Sequence, residues 1–272
     1  MYHWFLTLPL LLLPTLATAA SLTVSPGQSI AAALSQMAPS DTLTIQGGTY
    51  TENNLTPPSG STVQGEGSVV IRPTGGTNVG FALANNVTLR NIKIDGSGGG
   101  ISYGIRTNGQ GNLIENVEIA NVQNQGIALY CPGDNNHTGC GGGGNTVRNV
   151  YSHGAGSAGC HGTTAQDGYC HGIYIYSDNN VIDGGEFAYN NGFGIQTYGS
   201  HTVIQGASVH DNAAGGVTIP GYRAFPNASD QLVMWDGSSG STVPGTPRGG
   251  TTPGTPPSVL PAPRNFRVMS LP

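Results

Sequence analysis

Short apolar bursts separated by Gly and Asn run through the middle of this chain, and they repeat. Residues 180–195 (NVIDGGEFAYNNGFGI) return one 22-residue period later as residues 202–217 (TVIQGASVHDNAAGGV). Fixed self-similarity at such a period marks a solenoid, whose turns bury their apolar faces only by stacking on one another. The bursts alternate rather than follow a helical rhythm, so each turn reads as several short strands. Upstream, Ile182 and Ile204 align with Val147, Ile114 and Leu89. Gly194-Ile195 and Gly172-Ile173 align with Gly126-Ile127 and Gly104-Ile105, and Gly216-Val217 closes that series. Two positions past the first apolar column stand Asn91, Asn116 and Asn149, then Gly184 and Gly206. These residue types enter the left-handed backbone region at least cost, so the column predicts a bend repeated at one corner of every coil. The pattern predicts a parallel β-solenoid with three strands per turn.

Residues 25–37 place Ile30, Ala33, Leu34 and Met37 at helical spacing. Such a helix would plug the open end of the first coil. Coil length is uneven. Leu89 to Ile114 spans 25 residues and Ile182 to Ile204 spans 22, but Ile114 to Val147 takes 33 and Val147 to Ile182 takes 35. Two central coils therefore carry insertions, residues 130–144 after one Gly-Ile strand and residues 155–170 before the next. They flank the same predicted sheet from opposite sides. Long loops in a regular solenoid are where function concentrates. Past Ile219 the repeat fades; residues 232–235 (LVMW) are expected to cover the far end. Residues 241–272 form a Pro/Gly/Thr-rich tail, with eight prolines after residue 243. The expected domains are a leader over 1–20, a β-helix over 21–240 and this tail.

The repeat, with residues 41–52 (DTLTIQGGTYTE) and 60–66 (GSTVQGE), resembles the right-handed parallel β-helix proteins of the pectin-lyase-like group over residues 24–220. The resemblance implies an all-β, three-sheet right-handed parallel β-helix. That fold hosts lyases, hydrolases, epimerases and non-enzymes, so it does not by itself name a function. The clustered calcium-binding aspartates and paired Asp motifs found in those enzymes are missing here. Cys170-His-Gly172 echoes a short hydrolase signature without its acidic partners. No cofactor is expected, and calcium lacks a motif.

Only 8% of residues are charged and 44 are glycine, as suits coils of tight bends and neutral polar faces. Net charge is −5 with a single lysine, Lys93, which argues against nucleic acid and anionic membranes as partners. Residues 4–16 are an apolar run too short and Pro-broken to span a membrane. With Ala17-Thr18-Ala19 behind them they read as a secretory leader, although no Lys or Arg precedes the run. A secreted or periplasmic monomer is expected. Four cysteines in an exported chain read as disulfides. Three connectivities are open, and Cys131–Cys140 with Cys160–Cys170 is preferred because each pair brackets one insertion. Zinc ligation lacks the usual Cys spacing.

Alternation nominates a site. If Ile105, Ile127, Ile173, Ile195 and Val217 point inward, then Arg106, Ala128, Tyr174, Gln196 and Thr218 point outward, and so does Gly172. Tyr130, Tyr176 and Tyr198 form a second outward column. Aromatic faces beside neutral hydrogen-bonding groups suit a sugar ring. Arg106, Tyr130, Tyr174, Tyr176, Gln196 and Tyr198 are thus the candidate polysaccharide-binding residues. His171 at the strand entrance and Asp167 nearby are the candidate catalytic acid–base groups, because histidine alone titrates near neutrality unaided. His161, His153 and Tyr169 lie close in sequence, and Asp134 and Glu186 are further carboxylates. Glu186 falls in another column, with Lys93, Glu118, Tyr151 and Ser208, where Lys93 and Glu118 would form a surface ion pair. Two functions remain open: a carbohydrate-active enzyme, and a non-catalytic carbohydrate-binding or adhesion β-helix.

Overall fold

A computed structural model describes residues 18–75, 79–131, 140–157, 169–199, 201–219 and 223–225. The predicted leader, the tail, Leu232–Trp235, Asp134, Cys160, His161 and Asp167 lie outside these residues. The described chain winds as a parallel β-helix. Strand after strand pairs in parallel with the strand one coil away, and only the final pairing, of Gly215–Ile219 with Arg223–Phe225, is antiparallel.

The first face carries one continuous inward column: Leu22, Leu43, Val63, Leu89, Ile114, Val147, Ile182 and Ile204 are register partners in turn. The sequence repeat is therefore three coils longer at its N-terminal end than its aligned columns indicate. On the third face Phe81, Ile105, Ile127, Ile173, Ile195 and Val217 are register partners. Ile105, Ile114, Ile127, Ile173, Ile182 and Ile195 have no exposed surface. Fully burying such a side chain contributes about 1.5–3 kcal/mol before chain entropy is counted, so the core is a stack of identical layers.

The first and second faces meet at the Asn column. Asn91, Asn116 and Asn149 have φ of +58°, +53° and +48°, and Gly184 and Gly206 continue at +71° and +63°. The side chains also join. Asn116 Nδ2 donates to Asn91 Oδ1 at 3.3 Å, and Asn149 Nδ2 donates to Asn116 Oδ1 at 2.7 Å. A second, buried ladder that the sequence pattern left unread stands at the corner before the first face. Asn112 Nδ2 donates to Asn145 Oδ1 at 2.9 Å, and Asn145 Nδ2 donates to Asn180 Oδ1 at 3.1 Å.

Two expectations change. The helix covers Ile30–Leu34 only, because Pro26-Gly27 forms a turn ahead of it, Gly27 at φ +89°. Its N-terminus is capped by Ser29 and by Glu52, whose carboxylate accepts from the Ile30 and Ala31 amides at 2.6 and 2.8 Å. Strict alternation also fails at the Gly-Ile pairs. A Cβ on Gly172 would come 3.3 Å from Phe187 Cδ1, and one on Gly80 would come 3.1 Å from Ile94 Cγ2, both core atoms. Glycine and isoleucine thus both face inward where the second face bends into the third. Tyr103, the residue before Gly104, consequently joins the outside.

Candidate functional site

The outer surface of the third face is an aromatic strip. Tyr176 and Tyr198 stack at 5.0 Å between centroids and 11° between planes, and Tyr130 stacks on Tyr176 at 5.8 Å. Tyr174 meets Tyr176 edge-on at 4.4 Å, Tyr198 at 5.8 Å and Tyr130 at 6.2 Å. The Tyr174 hydroxyl donates to that of Tyr176, and Gln196 Nε2 donates to the Tyr198 hydroxyl at 2.9 Å. All six predicted binding residues therefore come together on this face.

Tyr103 belongs to the strip as well. Its ring lies 6.4 Å from that of Tyr130, whose hydroxyl donates to the Tyr103 hydroxyl at 3.5 Å. Sequence alternation puts Tyr103 on the inward side with Ile105, and the bend at Gly104 reverses that. Arg106 is held between these rings, its Cζ 5.8 Å from the Tyr103 centroid and 5.0 Å from that of Tyr130. Cation–π contacts of this kind hold a guanidinium without neutralising it.

The strip is less open than its sequence implies. Ala128 is fully buried, Gln196 is 4% exposed and Tyr174 is 7% exposed. Tyr103, Arg106, Tyr130, Tyr176 and Tyr198 are half-buried. Burial, reinforced by neighbouring tyrosine hydroxyls, pushes the Tyr174 and Tyr130 phenols well above the usual tyrosine range, so both stay protonated.

His171 does not open onto the surface. Its ring is fully buried, stacks at 5.6 Å on both Tyr174 and Phe193, and uses Nδ1 to accept from the Phe193 amide at 2.8 Å. Tyr169 is 45% exposed. The strand ends are fixed by sulfur. Cys131 and Cys170 are disulfide-bonded, with Cys131 Sγ 3.7 Å from the Tyr176 carbonyl and Cys170 Sγ 3.3 Å from the Gln123 carbonyl.

The second face holds the other polar cluster. Lys93, Glu118, Tyr151, Glu186 and Ser208 share one column by register. Lys93 Nζ lies 2.7 Å from Glu118 Oε1, as expected, but His153 Nε2 reaches the same oxygen at 3.2 Å. The pair is not a bare surface contact, since the Glu118 side chain is only 15% exposed. Burial pushes the Glu118 carboxyl up, yet hydrogen bonds from His153 and Lys93 outweigh it and hold the group below the usual carboxylate range. Glu186 makes the matching contact with His210 Nε2 at 3.2 Å, and Asp211 takes His210 Nδ1 at 2.8 Å. Among the described residues no group of three His, Cys, Asp or Glu side chains is arranged to hold a metal ion.

Comparison with known proteins bears on the fold. The crystal structure of an alginate lyase from Paenibacillus sp. str. FPU-7 is similar with a TM-score of 0.51 and 15% identity, over 74% of each chain. A Geobacillus virus E2 protein, ORF18, reaches a TM-score of 0.46 and 14% identity over 70% of this chain and 44% of its own. No curated protein matches. The family described as "Right handed beta helix region" matches residues 69–228, which takes in the Asn column, the Gly-Ile series and the aromatic strip. The chain belongs to the right-handed β-helix family.

Proposed function

We propose that this protein is an exported carbohydrate-binding β-helix that holds a polysaccharide along the outer third face, with Arg106 docking a carboxylate-bearing sugar. One observation carries the reading. Among the described cationic side chains, Arg72, Arg90, Lys93 and Arg148 each have a carboxylate or amide partner, and Arg106 has none. Its Nε is buried without a hydrogen-bond partner. A buried charged donor left unpaired is costly, and an anionic ligand removes that cost. The tyrosines around it supply flat apolar surface for the CH faces of sugars and hydroxyls for their rims. The neighbour named as an alginate lyase supports a polysaccharide ligand. The leader-like residues 1–20 support export.

Binding is preferred to turnover because the best acid–base candidate, His171, is sealed beneath Tyr174 with Nδ1 already engaged. The test is affinity electrophoresis in gels containing alginate, polygalacturonate or a neutral xyloglucan. The wild-type protein should be retarded by a carboxylated polymer, and more strongly at low salt. Arg106→Ala should weaken that retardation about tenfold or more, the usual loss for a charge-assisted contact, with an unchanged melting temperature. Equal retardation of the wild type and Arg106→Ala would overturn the role of Arg106. No retardation by any of the polymers would overturn the polysaccharide reading.

A further inference from the structure

The corner between the second and third faces varies in length from coil to coil, and the variation leaves a notch. From Ala120 to Gln125 the chain crosses in four residues (121–124), as it does over 189–192 and 211–214. The coil on one side takes seven residues, 96–102, and includes the short 3-10 turn Gly96–Gly98; the coil on the other side takes nineteen, 154–172. A short turn lies between two long ones. The result is a pocket of 560 Å³ lined by Gly96, Ser97, Gly99, Gly100, Asn121, Gln123 and Ser157, within the range of about 300–1,000 Å³ usual for small-molecule sites.

The notch is built, not frayed. The Gln123 amide donates to the Ile101 carbonyl at 2.8 Å and the Gly156 amide to the Val122 carbonyl at 2.7 Å, so the floor is tied to both walls. Asp95 fixes one wall by accepting from Arg72 Nη2 at 3.0 Å, the Ser97 amide at 3.0 Å and Asn121 Nδ2 at 3.3 Å. Gly100, at φ +69°, lies directly against the Gln123 side chain: a Cβ there would come 2.9 Å from Gln123 Cδ. The Gln123 carboxamide itself has no hydrogen-bond partner among the described residues.

We infer that this corner pocket binds one unit of a neutral saccharide, at a site separate from the aromatic strip. None of the described lining residues is charged, which disfavours ionic ligands. A free carboxamide offers two donors and one acceptor, the complement of neighbouring sugar hydroxyls, and the glycine wall lets the ring approach the backbone. Gln123 precedes the strand Gln125–Leu129 and Tyr130 follows it, so the pocket and Tyr130 stand at opposite ends of one strand.

Backbone amide NMR titrations with maltotriose, cellotriose, xylotriose and mannotriose test the inference, with trigalacturonate as the charged comparator. At least one neutral trisaccharide should shift the amides of Gly96–Gly100 and Asn121–Gln123. Gln123→Ala should weaken that binding about tenfold, and Ser157→Trp should block the notch, with both variants melting as the wild type does. Shifts confined to Tyr103, Tyr130, Tyr176 and Tyr198 would overturn the inference. So would shifts at the corner only with trigalacturonate, undiminished binding in both variants, or no shift with any neutral trisaccharide.

Discussion

The second and third faces of this β-helix are made by the same repeat, one bend apart, and they treat charge in opposite ways. On the second face Lys93 and His153 share Glu118 across adjacent coils, and His210 lies between Glu186 one coil away and its own neighbour Asp211. On the third face one guanidinium sits among tyrosines with no counter-ion among the described residues. Paired charges on stacked rungs hold coils together and leave little to offer a ligand. An unpaired cation on a half-buried aromatic surface adds little to stability and leaves its capacity for an anion unspent. The second face is therefore read as structural and the third as functional, even though the second holds more of the described carboxylates and histidines.

The largest effect that separates the faces is expected from their two buried tyrosines. Tyr174 is 7% exposed and Tyr151 is 4% exposed, stacked on His153 at 4.1 Å. Truncating a large buried aromatic costs about 3 kcal/mol, or roughly 6–12 °C in melting temperature for a domain of this size. Tyr174→Ala and Tyr151→Ala should each show a loss of that order in calorimetry. Only Tyr174→Ala should also reduce polysaccharide retention, measured well below both melting points. Equal loss of retention in the two variants would place the ligand on both faces or on neither.

Loss of a single disulfide comes next. Bridges between Cys131 and Cys140 and between Cys160 and Cys170 would each contribute about 2–3 kcal/mol by restricting an unfolded loop. Cys131 and Cys170 anchor opposite ends of the third-face strands, beside Tyr176 and Gln123. Reduction should therefore weaken retention and lower the melting temperature together, with no change in the hydrogen-exchange protection of the Glu118 and His153 amides. Non-reducing peptide maps should recover the two short-range links, and a Cys131–Cys170 peptide would refute the pairing.

Much of this was legible because a solenoid turns distance in space into a fixed offset in sequence. The Asn91 column and the Gly-Ile series follow from one offset each. The same device applied two residues before the apolar column, at Asn112, Asn145 and Asn180, would have found the buried ladder. The insertions defeat the offset: Glu118 and His153 are 35 residues apart although they touch across adjacent coils. Corners defeat alternation. Tyr103 lies outside and Gly172 inside because the bend gives two consecutive residues the same orientation, which a period-2 reading cannot register. Burial of the strip is invisible to either device, since it depends on how the rings of neighbouring coils pack against one another rather than on any one strand.

The smallest effect is the most specific to the second face, and it is a pH dependence. The folded Glu118 carboxyl titrates below its ordinary value of about 4.3, because hydrogen bonds from His153 and Lys93 outweigh the burial that opposes them. A carboxyl depressed in the folded state stabilises the protein fully above its unfolded value. That contribution falls away as pH drops through the folded value. Glu118→Gln removes the charge and strands Lys93 and His153, at about 1 kcal/mol near neutrality. The melting temperatures of wild type and variant should thus differ by roughly 2–4 °C at pH 7. The gap should close as pH falls below the ordinary glutamate value. Other carboxyls held low, such as that of Asp183, titrate in both proteins and cancel in the difference. A gap that stays constant down to strongly acid pH would mean Glu118 acts through shape alone, and the contrast between a face that spends its charge internally and one that keeps it for a ligand would lose its second term.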